Sequence, residues 1–213
     1  TATISFIGKK IGLYTADGPD YCGEIIWHDL QTTPILTHVR PAVRIIEGEL
    51  INDWLRPRKL NCHKGDFGHV LIVGGGVGMP GAVCIAAEAA LRVGAGLVTV
   101  ATRPEYSAQV LNQVPEALVF GIEKAEQILS LLKKATVCVI GPGLGLDNWS
   151  RELFAQVMAS HLPMVIDASA LRLLALHPQQ DDNWILTPHP GEAAALLQCP
   201  TEQVMHNRLA TIN

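Results

Sequence analysis

The sequence predicts an α/β protein with three layers, a mainly parallel β-sheet between two layers of helices. Three observations predict it. From His69 onward, strand-like and helix-like segments alternate six times, the order that produces parallel strands joined by right-handed crossovers. Two of the strand segments, HVLIVG (His69–Gly74) and TVCVIG (Thr136–Gly141), are continuous apolar runs closed by glycine, as strands buried on both faces are. The 213 residues are 48% hydrophobic and 17% charged, enough for a sizeable core and ordinary for a globular protein.

The first segment, Thr1–Gly8, alternates apolar and polar residues as a half-buried strand does. Lys9–Pro19 reads as loop, and GEIIWHDL (Gly23–Leu30) as a second short strand. Two strands cannot make a core alone, so residues 1–31 are expected to be the tail of a domain whose body precedes Thr1. Pro34 and Pro41 and the lack of a helical period mark 32–44 as linker. The second domain is expected over 45–213, with a short helix beginning at Asp53 and a polar, flexible Cys62–Phe67.

The regular part follows in order. After the His69–Gly74 strand comes an alanine-rich helix over Pro80–Gly94, with proline suited to the first turn. Strands are predicted at Leu97–Ala101, Ala117–Phe120, Thr136–Ile140, Pro163–Ile166 and Asn183–Thr187. Helices are predicted at Pro104–Val114, Glu123–Lys134, Asp147–Ser160, Ser169–Leu176, up to Leu197, and from Thr201. The chain stops inside that last helix, so a C-terminal truncation is expected as well.

Composition excludes several functions. The net charge of −4, without a basic run, argues against nucleic acid and anionic membranes. No stretch has the roughly 18 apolar residues of a membrane span, and no signal peptide is legible. Five widely spaced cysteines without a CxxC argue for a reducing, cytoplasmic setting and against zinc.

Four places carry candidate chemistry. Gly141-Pro142-Gly143-Leu144-Gly145 joins a strand end to a helix start, a common phosphate position in α/β proteins, or simply a tight turn. Gly74-Gly75-Gly76 follows the first regular strand but is out of frame for a dinucleotide loop. Asp167 ends the PMVI strand, where it either binds a metal or ribose or caps the next helix. In Thr187-Pro188-His189-Pro190-Gly191-Glu192, two prolines pin the backbone around His189, which suits hydrogen bonding to a ligand. Glu192 either complements the helix dipole, orients His189 or holds a metal-bound water. No Ser-His-Asp elbow, carboxylate pair or Walker loop is present, and no general base stands out.

Together HVLIVGG, the MPGA helix start, EAALRVGAGLVTV, VIGPGLG, IDASAL and LTPHPGEAAALL, in this order, resemble the dehydratase domain of NAD(P)H-hydrate repair enzymes, over about Ile45–Asn213. TISFIGKKIGL…GEIIWHDL resembles the closing strands of the NAD(P)H-hydrate epimerase domain that precedes it in bifunctional proteins. The resemblance implies a ribokinase-like fold. It also implies ADP-dependent dehydration of (S)-NAD(P)H hydrate (ATP-dependent in eukaryotic relatives), in a parent that epimerises the R and S forms.

The resemblance further implies that Ala82, Gly143, Gly145 and His189 bind the hydrate and that Asp167 and Glu192 contact nucleotide phosphates or metal. Mg2+ would accompany the nucleotide, K+ would belong to the epimerase domain, and the protein would form a homo-oligomer. The catalytic aspartate, on a GxGD loop, is expected beyond Asn213, so the 213 residues alone would have little dehydratase activity. The sequence departs from the family pattern at Asp167-Ala168-Ser169, where DAD is common, and at Gly76, where an acid is common. A ribokinase-like small-molecule kinase and a non-catalytic nucleotide-binding module are the competing readings.

Overall fold

A computed structural model describes residues 1–32, 39–55 and 57–211. Part of the expected linker (33–38) and Arg56 lie outside the described residues. The chain forms two compact units, Thr1–Lys59 and Leu60–Asn213, so residues 45–59 cluster with the first unit rather than the second.

In the first unit, β1 (Ala2–Phe6) pairs in parallel with β2 (Glu24–His28). Their connection contains α1 (Gly18–Cys22), with proline in its first turn, in place of uninterrupted loop. Thr3 Oγ1 donates to Cys22 O at 2.7 Å, and Ser5 is 6% exposed. The alternation of β1 is therefore inverted relative to expectation. Thr3 faces α1 and Ser5 is buried, its Oγ donating to Gly8 O, whereas Ile4 and Phe6 stay open at 60% and 50%. The expected helix start at Asp53 is corrected to α2 (Gly48–Trp54), which ends before Pro57.

The second unit is built on a six-stranded, all-parallel sheet. Its strands are β3 (His69–Val73), β4 (Leu97–Thr102), β5 (Leu118–Gly121), β6 (Val137–Ile140), β7 (Met164–Ile166) and β8 (Trp184–Leu186). Their order is β5-β4-β3-β6-β7-β8. The chain winds outward from β3 through β4 to β5, returns to the middle as β6, and winds the other way. Between β3 and β6 lies the topological switch point, whose carboxyl end is the usual ligand crevice of an open α/β sheet.

The helices are α3 (Pro80–Arg92), α4 (Ser107–Gln113), α5 (Leu129–Leu132), α6 (Asn148–Met158), α7 (Ala168–Leu176), α8 (Pro190–Leu197), α9 (Thr201–His206) and α10 (Arg208–Thr211). Two-residue periodicity divides β3 between two cores. Leu71 and Val73 face one core, built with residues of α5, α6 and α7, while Ile72 faces a second, built with α3 and α4. All three are completely buried, each worth about 1.5–3 kcal/mol of transfer free energy. The outer strands are less covered, with Leu118 at 48% and Ile185 at 64% exposure.

Two further segments differ from the sequence reading. The amphipathic run Glu123–Lys134 begins as a 3-10 turn over Ala125–Ile128, because Gln127 Oε1 accepts from the amides of Glu123 and Lys124. Cys62–Phe67 contains another 3-10 turn, Lys64–Phe67, capped by His63. Among the described residues, no helix is long and apolar enough to cross a membrane.

Candidate functional site

The carboxyl edge of the sheet collects every residue singled out from the sequence. The loop after β3 (Gly74–Met79) and the loop after β6 (Gly141–Asp147) meet there by main-chain hydrogen bonding. Gly75 N–H donates to Pro142 O at 3.0 Å and Gly76 N–H to Gly143 O at 2.6 Å. A Cβ at Gly74 would stand 2.1 Å from Pro142 O, and one at Gly76 2.4 Å from Leu144 O. The glycines therefore let two backbones lie against each other.

The interlock changes what these loops can do. The amides of Gly75 and Gly76 are engaged by the neighbouring loop, so neither is a donor free for phosphate. Gly143 is buried, with φ +60, and its bare Cα faces Met79 and Ala82. A Cβ there would come within 2.5 Å of Met79 O and 3.1 Å of Ala82 Cβ. Gly145 is half-buried, and a Cβ on it would meet only Ser150 Oγ, at 3.4 Å. Of the two, Gly145 presents the more open backbone.

The helix start after the loop is also filled. Asp147 is the N-cap of α6, and its Oδ1 accepts from Ser150 N–H at 3.0 Å and from Ser150 Oγ at 2.9 Å. Its Oδ2 accepts from Arg103 Nη2 at 2.5 Å. Partial desolvation pushes the Asp147 carboxyl pKa up, but the two Ser150 bonds and the Arg103 cation outweigh it and leave the pKa below its ordinary value. An ionised carboxylate thus occupies the place where the sequence allowed a ligand phosphate.

Arg103 was missed by sequence reasoning. It follows β4 directly, and its guanidinium lies 4.5 Å from the centroid of the Trp149 ring, within cation–π range. The side chain is 19% exposed, and its buried Nε has no acceptor among the described residues. No local pattern marks it, because both partners lie in a distant part of the chain.

Asp167 does not cap the helix that it precedes. As N-cap of α7 it makes no side-chain cap bond; Oδ1 instead accepts from Thr187 Oγ1 at 2.8 Å. That bond ties the end of β7 to the entry of the Pro-His-Pro turn. Gly141, with φ +124, allows the turn after β6 to press on Asp167, since a Cβ there would overlap Asp167 O at 1.7 Å. Ala168 follows with a strained φ of +45.

His189 and Glu192 form a reciprocal cap of α8. His189 Nδ1 accepts from the amides of Gly191 (3.0 Å) and Glu192 (3.4 Å). Glu192 Oε2 accepts from His189 N–H at 3.0 Å, and Oε1 lies 3.2 Å from His189 Nε2. An accepting Nδ1 assigns the ring proton to Nε2, aimed at the buried Glu192 carboxylate. The His189 side chain is nevertheless 59% exposed, so one face of the ring is open at the edge. The hydrogen bonds that these two side chains make run to each other and to Gly191, not to the glycine loops.

Among the described residues, no three His, Cys, Asp or Glu side chains cluster as metal ligands. Asp167 offers one carboxylate oxygen beyond its Thr187 bond. That suits an ion held mostly by phosphates and water, not a protein cage.

Comparison with known proteins follows this geometry. A family model described as NAD(P)H-hydrate dehydratase matches residues 70–212. The chain is 47% identical over 99% of its length to a bifunctional NAD(P)H-hydrate repair enzyme of Coxiella burnetii, covering 43% of that protein. It is 40% identical over 97% of its length to the corresponding enzyme of Escherichia coli, covering 40% of it. The chain thus spans less than half the length of these relatives. An ADP-dependent (S)-NAD(P)H-hydrate dehydratase of Lactiplantibacillus plantarum is 40% identical over 69% of the chain and 55% of that protein. Among solved structures, a hypothetical protein of Streptococcus mutans superposes with a TM-score of 0.71 at 32% identity, covering 79% of this chain and 64% of that one. An ADP/ATP-dependent NAD(P)H-hydrate dehydratase of Bacillus subtilis, co-crystallised with ATP/Mg2+, gives 0.62 at 26% identity, covering 75% and 58%.

Proposed function

The chain belongs to the NAD(P)H-hydrate dehydratase family, and on that footing we propose that its site serves the repair of hydrated NAD(P)H. The substrate is the (S)-hydrate, in which water has added across the nicotinamide 5,6 double bond. ADP, or ATP, phosphorylates the 6-hydroxyl. The ester then loses phosphate from C6 and a proton from C5, restoring the double bond. Hydroxide leaves poorly and phosphate well, and the ring-nitrogen lone pair assists its departure. The protein's task is positioning and stabilisation of charge.

One observation carries the reading. At the switch point the two glycine loops bring Ala82 against Gly143, and the Gly75 and Gly76 amides are taken up by the facing loop. Small side chains and bare backbone with those two amides already engaged suit the uncharged, hydrated nicotinamide ring better than a phosphate. Gly145 provides open backbone beside it, and the exposed ring of His189 faces the same edge. Asp167, with its uncommitted carboxylate oxygen, would contact Mg2+ brought by the nucleotide. Glu192 acts through His189, as its orienting partner. None of the described residues is assigned as the base, and none as a K+ ligand. Five free cysteines support a reducing, cytoplasmic location. Epimerisation by a longer parent and assembly into a homo-oligomer are part of the same proposal.

The test is incubation of the longer parent with purified (S)-NADPH hydrate and ADP, following NADPH absorbance and phosphate release together; the 213 residues alone should turn over little. Regained absorbance with equimolar phosphate supports dehydration. A stable phosphorylated product would instead assign a kinase, and binding without turnover a non-catalytic module. Gly143→Val should weaken hydrate binding more than ADP binding, read by calorimetry; equal loss of both would return the loop to the role of phosphate cradle.

A further inference from the structure

The segment Thr102–Tyr106 leaves the end of β4 beside β3, and three of its side chains reach the two glycine loops. Thr102 Oγ1, fully buried, donates to Gly75 O at 2.9 Å. Tyr106 Oη accepts from Gly78 N–H at 3.1 Å. Arg103 Nη2 donates to Asp147 Oδ2 at 2.5 Å, at the far end of the other loop. The segment is held from behind as well. Gly121 packs on Pro104, where a Cβ would come within 2.7 Å of Pro104 Cα. Trp149, under the Arg103 guanidinium, donates from Nε1 to Ile122 O at 2.8 Å.

We propose that Arg103 is a positioning residue of the hydrate site: through Asp147 and Ser150 it fixes the Leu144–Asp147 end of the second loop, and so the open backbone at Gly145. This rests on the hydrate reading above. The path from Arg103 to the glycines is continuous. Asp147 is bonded to Ser150, and Ser150 Oγ lies 2.7 Å from Leu144 O, the carbonyl between Gly143 and Gly145. Arginine suits this place because one planar fork both bonds a carboxylate and stacks on an indole, which a lysine cannot do at once. Among the described residues its buried Nε has no acceptor, so the placement of the guanidinium rests on Asp147 and Trp149.

The experiment is calorimetric titration of the full chain with (S)-NADPH hydrate, with NADPH as unreactive product, and separately with ADP. Wild type is compared with Arg103→Met, Arg103→Lys and Asp147→Asn at neutral pH, with melting curves to establish that each is folded. Arg103→Met should weaken both nicotinamide ligands about tenfold and leave ADP within about twofold. Arg103→Lys should recover part of the loss, and Asp147→Asn should resemble Arg103→Met. Should Arg103→Met fail to fold, Arg103→Lys against wild type carries the comparison. Unchanged nicotinamide affinity in folded variants, with only a lower melting temperature, would reduce the bracket to a strut and overturn the inference. Wild type binding ADP but neither nicotinamide ligand would instead overturn the hydrate reading, and the inference with it.

Discussion

Two histidines do the same local work at the two edges of the sheet. His63, ahead of β3, accepts from Gly65 N–H through Nδ1 at 3.1 Å, while Asp66 Oδ2 accepts from His63 N–H at 2.9 Å. His189, after β8, does the same with Gly191 and Glu192. Both follow the pattern His-x-Gly-acid, with imidazole nitrogen in the place usually held by a serine or aspartate oxygen. The recurrence accounts for Glu192 and for half of His189, whose ring is committed to the helix start before it meets any ligand. Replacing His189 by alanine should cost about 1 kcal/mol in a denaturant titration, the worth of an N-cap. His189→Asn should recover most of that stability, because asparagine is also a good cap, yet still weaken hydrate binding. Full recovery of both would confine His189 to capping.

Among the elements, the start of α6 bears most directly on the site. A helix N-terminus after a glycine loop reads from sequence as an anion position, but Asp147 supplies the anion from within the chain. Because its pKa is lower folded than unfolded, the stability that it contributes is present above about pH 4, the unfolded carboxylate value, and is lost as pH falls through the lower folded value. Asp147→Asn should remove that part of the acid limb of a melting-temperature-against-pH curve. The side chain is 49% exposed, so solvent screening keeps the effect small. An identical acid limb in both proteins would show that the cap and ion pair do not couple to folding.

On the scale of the whole molecule, the doubly wound topology decides which groups solvent can reach. Cys138 lies in central β6, fully buried, where desolvation pushes its thiol up to about 12. Cys62 is exposed. A thiol reagent at neutral pH should therefore label Cys62 at once and Cys138 only through global opening of the sheet. Mass spectrometry of time-quenched samples reads both rates; fast labelling of Cys138 would show that the core opens locally.

Much of the second unit was legible because its signals are local. Apolar runs such as HVLIV and VCVI mark buried parallel strands wherever they stand, and Pro80 and Asp147 mark helix starts through chemistry confined to one turn. The sequence by itself thus determined the alternation of strands and helices, the three layers, and which glycines and acids lie at strand ends. Tertiary structure alone decided what those residues face. That Gly75 and Gly76 donate to the loop after β6, that Asp167 accepts from Thr187 and does not cap α7, and that Arg103 bonds Asp147 depend on the order β5-β4-β3-β6-β7-β8. The physical reason is range. Strand and helix periodicities act over a few residues, whereas hydrogen bonds between loops join partners set side by side only by the order of strands in the sheet.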